Sequence, residues 1–177
     1  KPLGTKYIAL GDTGLDGGAL ADAAAAVKNE GFIKKVIDDN VYIYGVGRGT
    51  MYGCASFIEE QLDCHWYTPE LKVIPEKRDI AIDMNLNDSQ NTPLEYRDVF
   101  WKVANTDPEW KAFHKINSGV GLYMGEEYGW GVNYMDFCHT MCRLVPDSWY
   151  AEHPEYFSYR KASDSWTTEQ RCLTNPD

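Results

Sequence analysis

The chain has no apolar run near the roughly 18 residues that a membrane-crossing helix requires, so no membrane insertion is expected. Basic residues are scarce. Lys and Arg number 17 against 27 Asp and Glu, a net charge of -10. Such a surface repels phosphate backbones and anionic lipid, so nucleic acid is not an expected partner. Cysteine is sparse and odd in number: Cys54, Cys64, Cys138, Cys142 and Cys172. One of these lies on the apolar face of an expected helix, which favours free thiols over a disulfide framework. Cys138, His139, Cys142 and Cys172 could be proposed as a zinc set. However, the spacing C-H-x-x-C, with no second close pair, is a weak match to zinc ligands. No metal or cofactor is expected.

What the chain does contain is enough for a folded core. Hydrophobic residues make up 44% of its 177 positions and charged residues 25%, which excludes wholesale disorder. Aromatics reach 14%, with six Trp and twelve Tyr. Such side chains suit sugar-stacking surfaces as well as cores.

The stretch Val41–Pro69 organises the first part. Val41 to Tyr44 is β-branched and aromatic, a strand signal. Gly45, Gly47, Gly49 and Gly53 follow, and Thr50 is a candidate helix cap. Met51, Cys54, Ala55, Ile58 and Leu62 fall on one apolar helical face. The order strand, Gly-x-Gly, helix is that of a nucleotide site. Thr50 stands where the third glycine would be, though, and no Lys-Ser/Thr pair completes a phosphate loop. A tight turn that lets the helix approach the sheet explains the same residues.

Taken in order, Lys6–Leu10 reads as a strand ended by the turn Gly11-Asp12-Thr13-Gly14. The Ala-rich run from Gly18 to Asn29 reads as helix. Phe32–Ile37 alternates as a strand with one face partly wet, and Asp38-Asp39-Asn40 turns it into Val41, giving a hairpin. Asp79–Met84 alternates again and is expected to close the sheet. The first unit is therefore expected to be a small α/β sandwich over residues 1–84. The polar run 85–93 is expected as a linker.

Beyond it, Leu94–Trp101 is a strand candidate and Asp107–Ile116 a helix candidate. Gly119–Asn133 holds five glycines among aromatics, a loop long enough to be functional. Trp101, Tyr123, Tyr128, Trp130 and Tyr134 flank or lie within it, and they form either a sugar platform or core. Ser148–Tyr156 reads as a short helix broken at Pro154, and Arg171–Asn175 as a last strand.

Several ordered motifs carry a resemblance. Gly47-Arg48-Gly49-Thr50-Met51-Tyr52-Gly53, Phe57-Ile58-Glu59-Glu60 and Trp66-Tyr67-Thr68-Pro69 precede Glu95-Tyr96-Arg97-Asp98. His139-Thr140, His153-Pro154-Glu155-Tyr156-Phe157 and Cys172-Leu173-Thr174-Asn175-Pro176 follow. Together they resemble domain-of-unknown-function family 4838, found among carbohydrate-active proteins. Some of its members are family 163 endo-β-N-acetylglucosaminidases. The N-terminal part resembles the accessory domain of family 20 β-hexosaminidases and α-glucuronidases.

The resemblance implies a (β/α)8 barrel starting near Leu94, with residues 94–177 holding about two or three of its βα units. It also implies that the acid/base carboxylates lie on later strands, so the chain is expected to be a fragment of a glycoside hydrolase. Its partner would be a glycan containing amino sugars. A non-catalytic carbohydrate-binding module is the alternative. A secreted, periplasmic or cell-surface location is expected, with the cytoplasm as alternative.

On a barrel strand Arg97 would donate paired hydrogen bonds to a sugar, as a comparable Arg does in family 20 enzymes. Otherwise it would pair with Asp98 as a structural bridge. His139 and Asn175 are candidate sugar contacts, Asn175 because barrel strand ends face the site. Asp98 and Trp101 complete the candidate substrate-binding set. His139 also has an alternative reading as a hydrogen-bonded structural residue.

Overall fold

The computed structural model describes residues 5–102, 104–119, 124–134 and 140–176. It is a mixed α/β structure with small sheets. The chain divides into two compact units, the first ending at Val132 and the second beginning at Asn133. Among the described residues no helix is long and apolar enough to cross a membrane.

The first unit is built on a four-stranded sheet. Its strands are β1 (Ile8–Leu10), β2 (Phe32–Ile37), β3 (Asn40–Gly45) and β6 (Asn87–Gln90), in the order β1-β3-β2-β6. β1 runs parallel to β3, and the other pairs are antiparallel. The β2–β3 hairpin forms as the sequence predicts, with Ile37 opposite Asn40. Asp38 and Asp39 both take positive φ, 49° and 62°. That twist matches the flanking strands, and Asp tolerates it better than most side chains.

Alternation on β3 sends side chains to two faces. Tyr42 joins Ala9, Leu20, Val27 and Ile33 under the helix α1 (Ala21–Ala26). Val41 and Ile43 meet Phe57 of the helix α2 (Gly49–Leu62) and Leu86 on the other.

The glycines around α2 serve close packing. A Cβ on Gly49 would lie 2.0 Å from the Gly31 carbonyl oxygen, and one on Gly45 would lie 2.2 Å from the Gly49 carbonyl carbon. Arg48, not Thr50, occupies the N-cap, and the Thr50 hydroxyl turns back to the Gly45 carbonyl at 3.3 Å. The buried face is also rotated from the expected one. Tyr52, Gly53, Ala55, Ser56 and Phe57 are buried, whereas Met51, Cys54, Ile58 and Leu62 are only partly covered. Backbone approach at Gly49 and Gly53 sets this rotation, because the glycine side of the helix is the side that can touch the sheet. The same face brings Ser56 to the buried Lys34, whose Nζ donates to Ser56 Oγ at 2.8 Å and to Glu60 Oε2 at 2.5 Å. Asp88 Oδ2 lies 3.1 Å from the same nitrogen. The face of β2 expected to be partly wet is therefore dry at Lys34 and satisfied by ion pairs.

Two expectations for this region are corrected. Asp79–Met84 forms no strand: Ile82 packs near the α2 cluster, while Ile80 and Met84 stay 60% and 49% exposed. The fourth strand is β6, inside the stretch 85–93 expected as a linker. Its side chains are polar, but edge pairing needs only backbone groups, and Asp88 gains Lys34 as partner. The Asn91 side chain then ties this edge to the preceding turn, accepting from Lys28 N at 2.6 Å and donating to Ala26 O at 3.0 Å.

The rest of the first unit contains the short hairpin β4 (His65–Trp66) and β5 (Lys72–Val73) and the helix α3 (Pro108–Phe113). Asp107 caps α3 through Trp110 N at 2.9 Å, with Pro108 at the first helical position. Trp66 stacks on Phe113 with ring centroids 4.0 Å apart. Leu94–Trp101, expected as the first barrel strand, carries no strand pairing. Its hydrogen bonds go to a neighbouring loop instead, as described below.

The second unit has the short helix α4 (Met141–Leu144), 3-10 turns at Asp147–Ala151 and Pro154–Tyr156, and a hairpin of β7 (Phe157–Arg160) with β8 (Ser165–Arg171). The strand expected over Arg171–Asn175 is displaced: β8 ends at Arg171. Buried Arg171 pins this unit, donating to the carbonyls of Val145 and Thr168 and to Asp147 Oδ1. Its guanidinium lies 4.8 Å from the Phe157 ring centre.

Candidate functional site

Arg97 is one of the residues that the sequence marks, and the structure gives it a carboxylate partner other than Asp98. Arg97 Nη2 donates to Glu30 Oε2 at 2.5 Å, Nε to the Lys115 carbonyl at 2.5 Å, and Nη1 to the Leu94 carbonyl at 2.7 Å. Asp98 accepts from Ser118 Oγ at 2.8 Å and from the Tyr96 hydroxyl at 3.1 Å. The alternative of an Arg97–Asp98 bridge is thus replaced by an Arg97–Glu30 bridge.

Glu30 is held from two sides. It sits in a turn with φ 63°, and its other oxygen accepts from Arg48 Nε at 2.5 Å and also contacts Arg48 Nη2. Both guanidiniums and the carboxylate are largely buried. Asn117, fully buried, completes the cluster: its amide donates to Glu30 Oε2 at 3.1 Å and to the Glu95 carbonyl at 2.7 Å, while its oxygen accepts from Arg97 N at 2.7 Å. Tyr52 lies beneath, its ring centre 5.4 Å from the Arg97 guanidinium carbon. Burial and the Glu30 charge push its phenol up, against the two arginines. Its hydroxyl has no hydrogen-bond partner among the described residues. Next to this cluster Lys111 Nζ donates to the Ser118 carbonyl at 2.7 Å, and burial pulls the Lys111 ammonium below its usual range despite nearby Asp98.

This cluster borders an open cleft of about 520 Å³, lined by Glu30, Arg48, Thr50, Met51, Glu127 and Tyr128. Gly129 closes one side. It takes φ 71°, and a Cβ there would lie 2.7 Å from Arg48 Cγ, so glycine is required on both counts. Arg48 Nη1 reaches the Trp130 carbonyl at 2.5 Å and fixes that loop. Sequence reasoning missed Glu30 and Asn117. Neither carries a motif, and only their distant arginine partner marks them.

The other candidates are scattered. Trp101 is 44% exposed, edge-on to Trp110 at 5.8 Å. His139, Cys138 and Tyr123 lie outside the described residues. Trp130 and Tyr134 are half exposed. Asn175 belongs to the second unit, where its amide donates to the Glu155 carbonyl at 3.1 Å. There it borders an open cleft of about 340 Å³ with Met141, Trp149, Tyr156, Arg171 and Leu173. Trp149 is 46% exposed, and His153 stacks on Tyr156 with centroids 4.7 Å apart. The Glu155 carboxyl is held below its ordinary range by its own backbone N–H and by His153. Cys54, Cys64, Cys142 and Cys172 are free thiols. Among the described residues no three His, Cys, Asp or Glu are grouped to hold a metal ion.

No curated protein and no solved structure matches the chain. A family model described as "Domain of unknown function (DUF4838)" matches residues 66–177, a span that includes Arg97, Asn117 and the second-unit cleft but not Glu30 or Arg48. With more than half its length inside that match, the chain belongs to the DUF4838 family.

Proposed function

We propose that this chain is the carbohydrate-binding portion of a glycoside-hydrolase-like protein acting on glycans that contain amino sugars. In this reading an accessory α/β unit precedes the opening of a (β/α)8 barrel, the catalytic carboxylates lie outside the chain, and the protein works outside the cytoplasm. The observation that carries the binding part is the second-unit cleft. Trp149 and Tyr156 line it together with Asn175 and Arg171. A pyranose presents the matching pair of features, a C–H face for an aromatic ring and hydroxyls for polar side chains.

Two carboxylates near Arg97 are committed to the protein itself rather than offered to a reaction. Both Glu30 oxygens are occupied by arginines, and Asp98 is held by Ser118 and Tyr96. Calorimetric titration of the chain with chitotetraose and with a released N-glycan tests the reading. Binding in roughly the micromolar-to-millimolar range is expected, weakened about tenfold or more in Trp149→Ala. Absence of binding to either glycan would overturn it.

A further inference from the structure

The turn Gly11-Asp12-Thr13-Gly14, read from the sequence only as punctuation, frames a cavity that the second-unit cleft does not use. We propose that this cavity, between the β1–α1 loop and β3, is a separate binding site for a neutral pyranose ring. It encloses about 290 Å³, the scale of one sugar ring rather than an oligosaccharide. Its wall is formed by partly exposed Tyr44 with the buried Tyr42 on the same face of β3 behind it. Leu20, from the start of α1, adds apolar surface.

The rim carries Asp12, Thr13 and Asp16. Asp16 is already engaged, accepting from Leu20 N at 2.9 Å, and the Tyr42 hydroxyl donates to the Leu15 carbonyl at 3.2 Å while meeting the Tyr7 hydroxyl at 2.5 Å. These contacts hold loop and wall in place. The Asp12 carboxylate and the Tyr44 hydroxyl have no hydrogen-bond or ion-pair partner among the described residues, so both are available to a ligand.

The glycines of this loop are conformational. Gly11, Gly14, Gly17 and Gly18 all take positive φ, and a Cβ on any of them would meet nothing within 4 Å. The loop is therefore shaped around open space rather than packed against the protein. A glycine-rich loop between a parallel strand and a helix often cradles phosphate. Here no Lys or Arg lines the cavity, two carboxylates do, and the chain as a whole carries -10, so an anion is excluded. An aromatic wall beside one free carboxylate and one free phenol suits vicinal hydroxyls on a ring with an apolar face.

Two-dimensional NMR on the 15N-labelled chain tests this with four probes: methyl β-glucoside, methyl α-galactoside, methyl β-N-acetylglucosaminide and glucosamine. At least one neutral glycoside should shift the amides of residues 11–18 and 42–44, with a dissociation constant of about millimolar order. Asp12→Asn and Tyr44→Phe, which keep the fold's volume, should each weaken it by about fivefold or more. Tyr44→Ala should abolish it, whereas Trp149→Ala should leave it unchanged. That last variant separates this site from the proposed second-unit cleft, so either can fail alone. Silence of all three neutral glycosides at these amides overturns the proposal. A response to glucosamine alone also overturns it, in favour of an ammonium site.

Discussion

Arg97 and Glu30, 67 residues apart, meet through Arg97 Nη2 and Glu30 Oε2 at 2.5 Å, with both side chains 16% exposed. Arg48 grips the same carboxylate from the other side. The pairing ties the 94–98 stretch to the turn between α1 and β2, so Arg97 fastens parts of the first unit together.

Removing one partner from such a buried cluster leaves the others uncompensated. Glu30→Gln and Arg97→Ala should each destabilise the chain by about 3 kcal/mol in urea unfolding. Their double mutant should cost clearly less than the sum. An Arg97→Ala variant of unchanged stability but reduced glycan binding would instead make Arg97 a ligand contact.

The Glu60 carboxyl gives an acid-side prediction. Burial works to raise it, but hydrogen bonds from Lys34 and Ser56 and the Lys34 charge outweigh burial and hold it low. A folded value below the unfolded one means that the stabilisation is present above the unfolded carboxyl value of 4.5 and is lost as pH falls through the folded value. Melting temperature should therefore drop on acidification below that point. The drop should be shallower in Glu60→Gln, which starts from a lower stability at neutral pH.

At the alkaline end Tyr42 is pushed up from 10.0 to about 12, by burial first and then by its hydrogen bond to Tyr7. A raised folded value stabilises below pH 10 and loses that contribution as pH rises towards 12. Ultraviolet titration should show several tyrosinates forming late, since the Tyr52 phenol is also pushed up. Tyr42→Phe should lower the amplitude of the late step by one tyrosinate.

The glycines separate into two kinds that substitution can distinguish. Gly49→Ala places a Cβ 2.0 Å from the Gly31 carbonyl oxygen, so backbone must move and a loss of about 2–3 kcal/mol is expected. Gly14→Ala meets only its own φ of 63°, and a loss of about 1 kcal/mol is expected. Chemical denaturation of the two variants should rank them in that order.

Local pattern was legible where one segment decides its own conformation. The β2–β3 hairpin follows from alternation and from two Asp residues that accept positive φ. The helix of Val41–Pro69 follows from its periodicity, and α3 lies within the expected Asp107–Ile116. The failures share a cause. Asp79–Met84 alternates as a strand should, yet β6 takes the sheet edge with polar side chains. Strand pairing is made by backbone, and which segment wins depends on Lys34 meeting Asp88.

By itself the amino-acid sequence determined the order β1, α1, β2, β3 and α2, the steric need for glycine around α2, and a family match over residues 66–177. Only the tertiary structure decided that Arg97 binds Glu30 and not its neighbour Asp98, that Lys34 is dry, and that the β1–α1 turn encloses a cavity walled by tyrosines. Short-range chemistry sets φ and ψ, whereas the partner of a long charged side chain depends on which distant backbone is brought within hydrogen-bond reach.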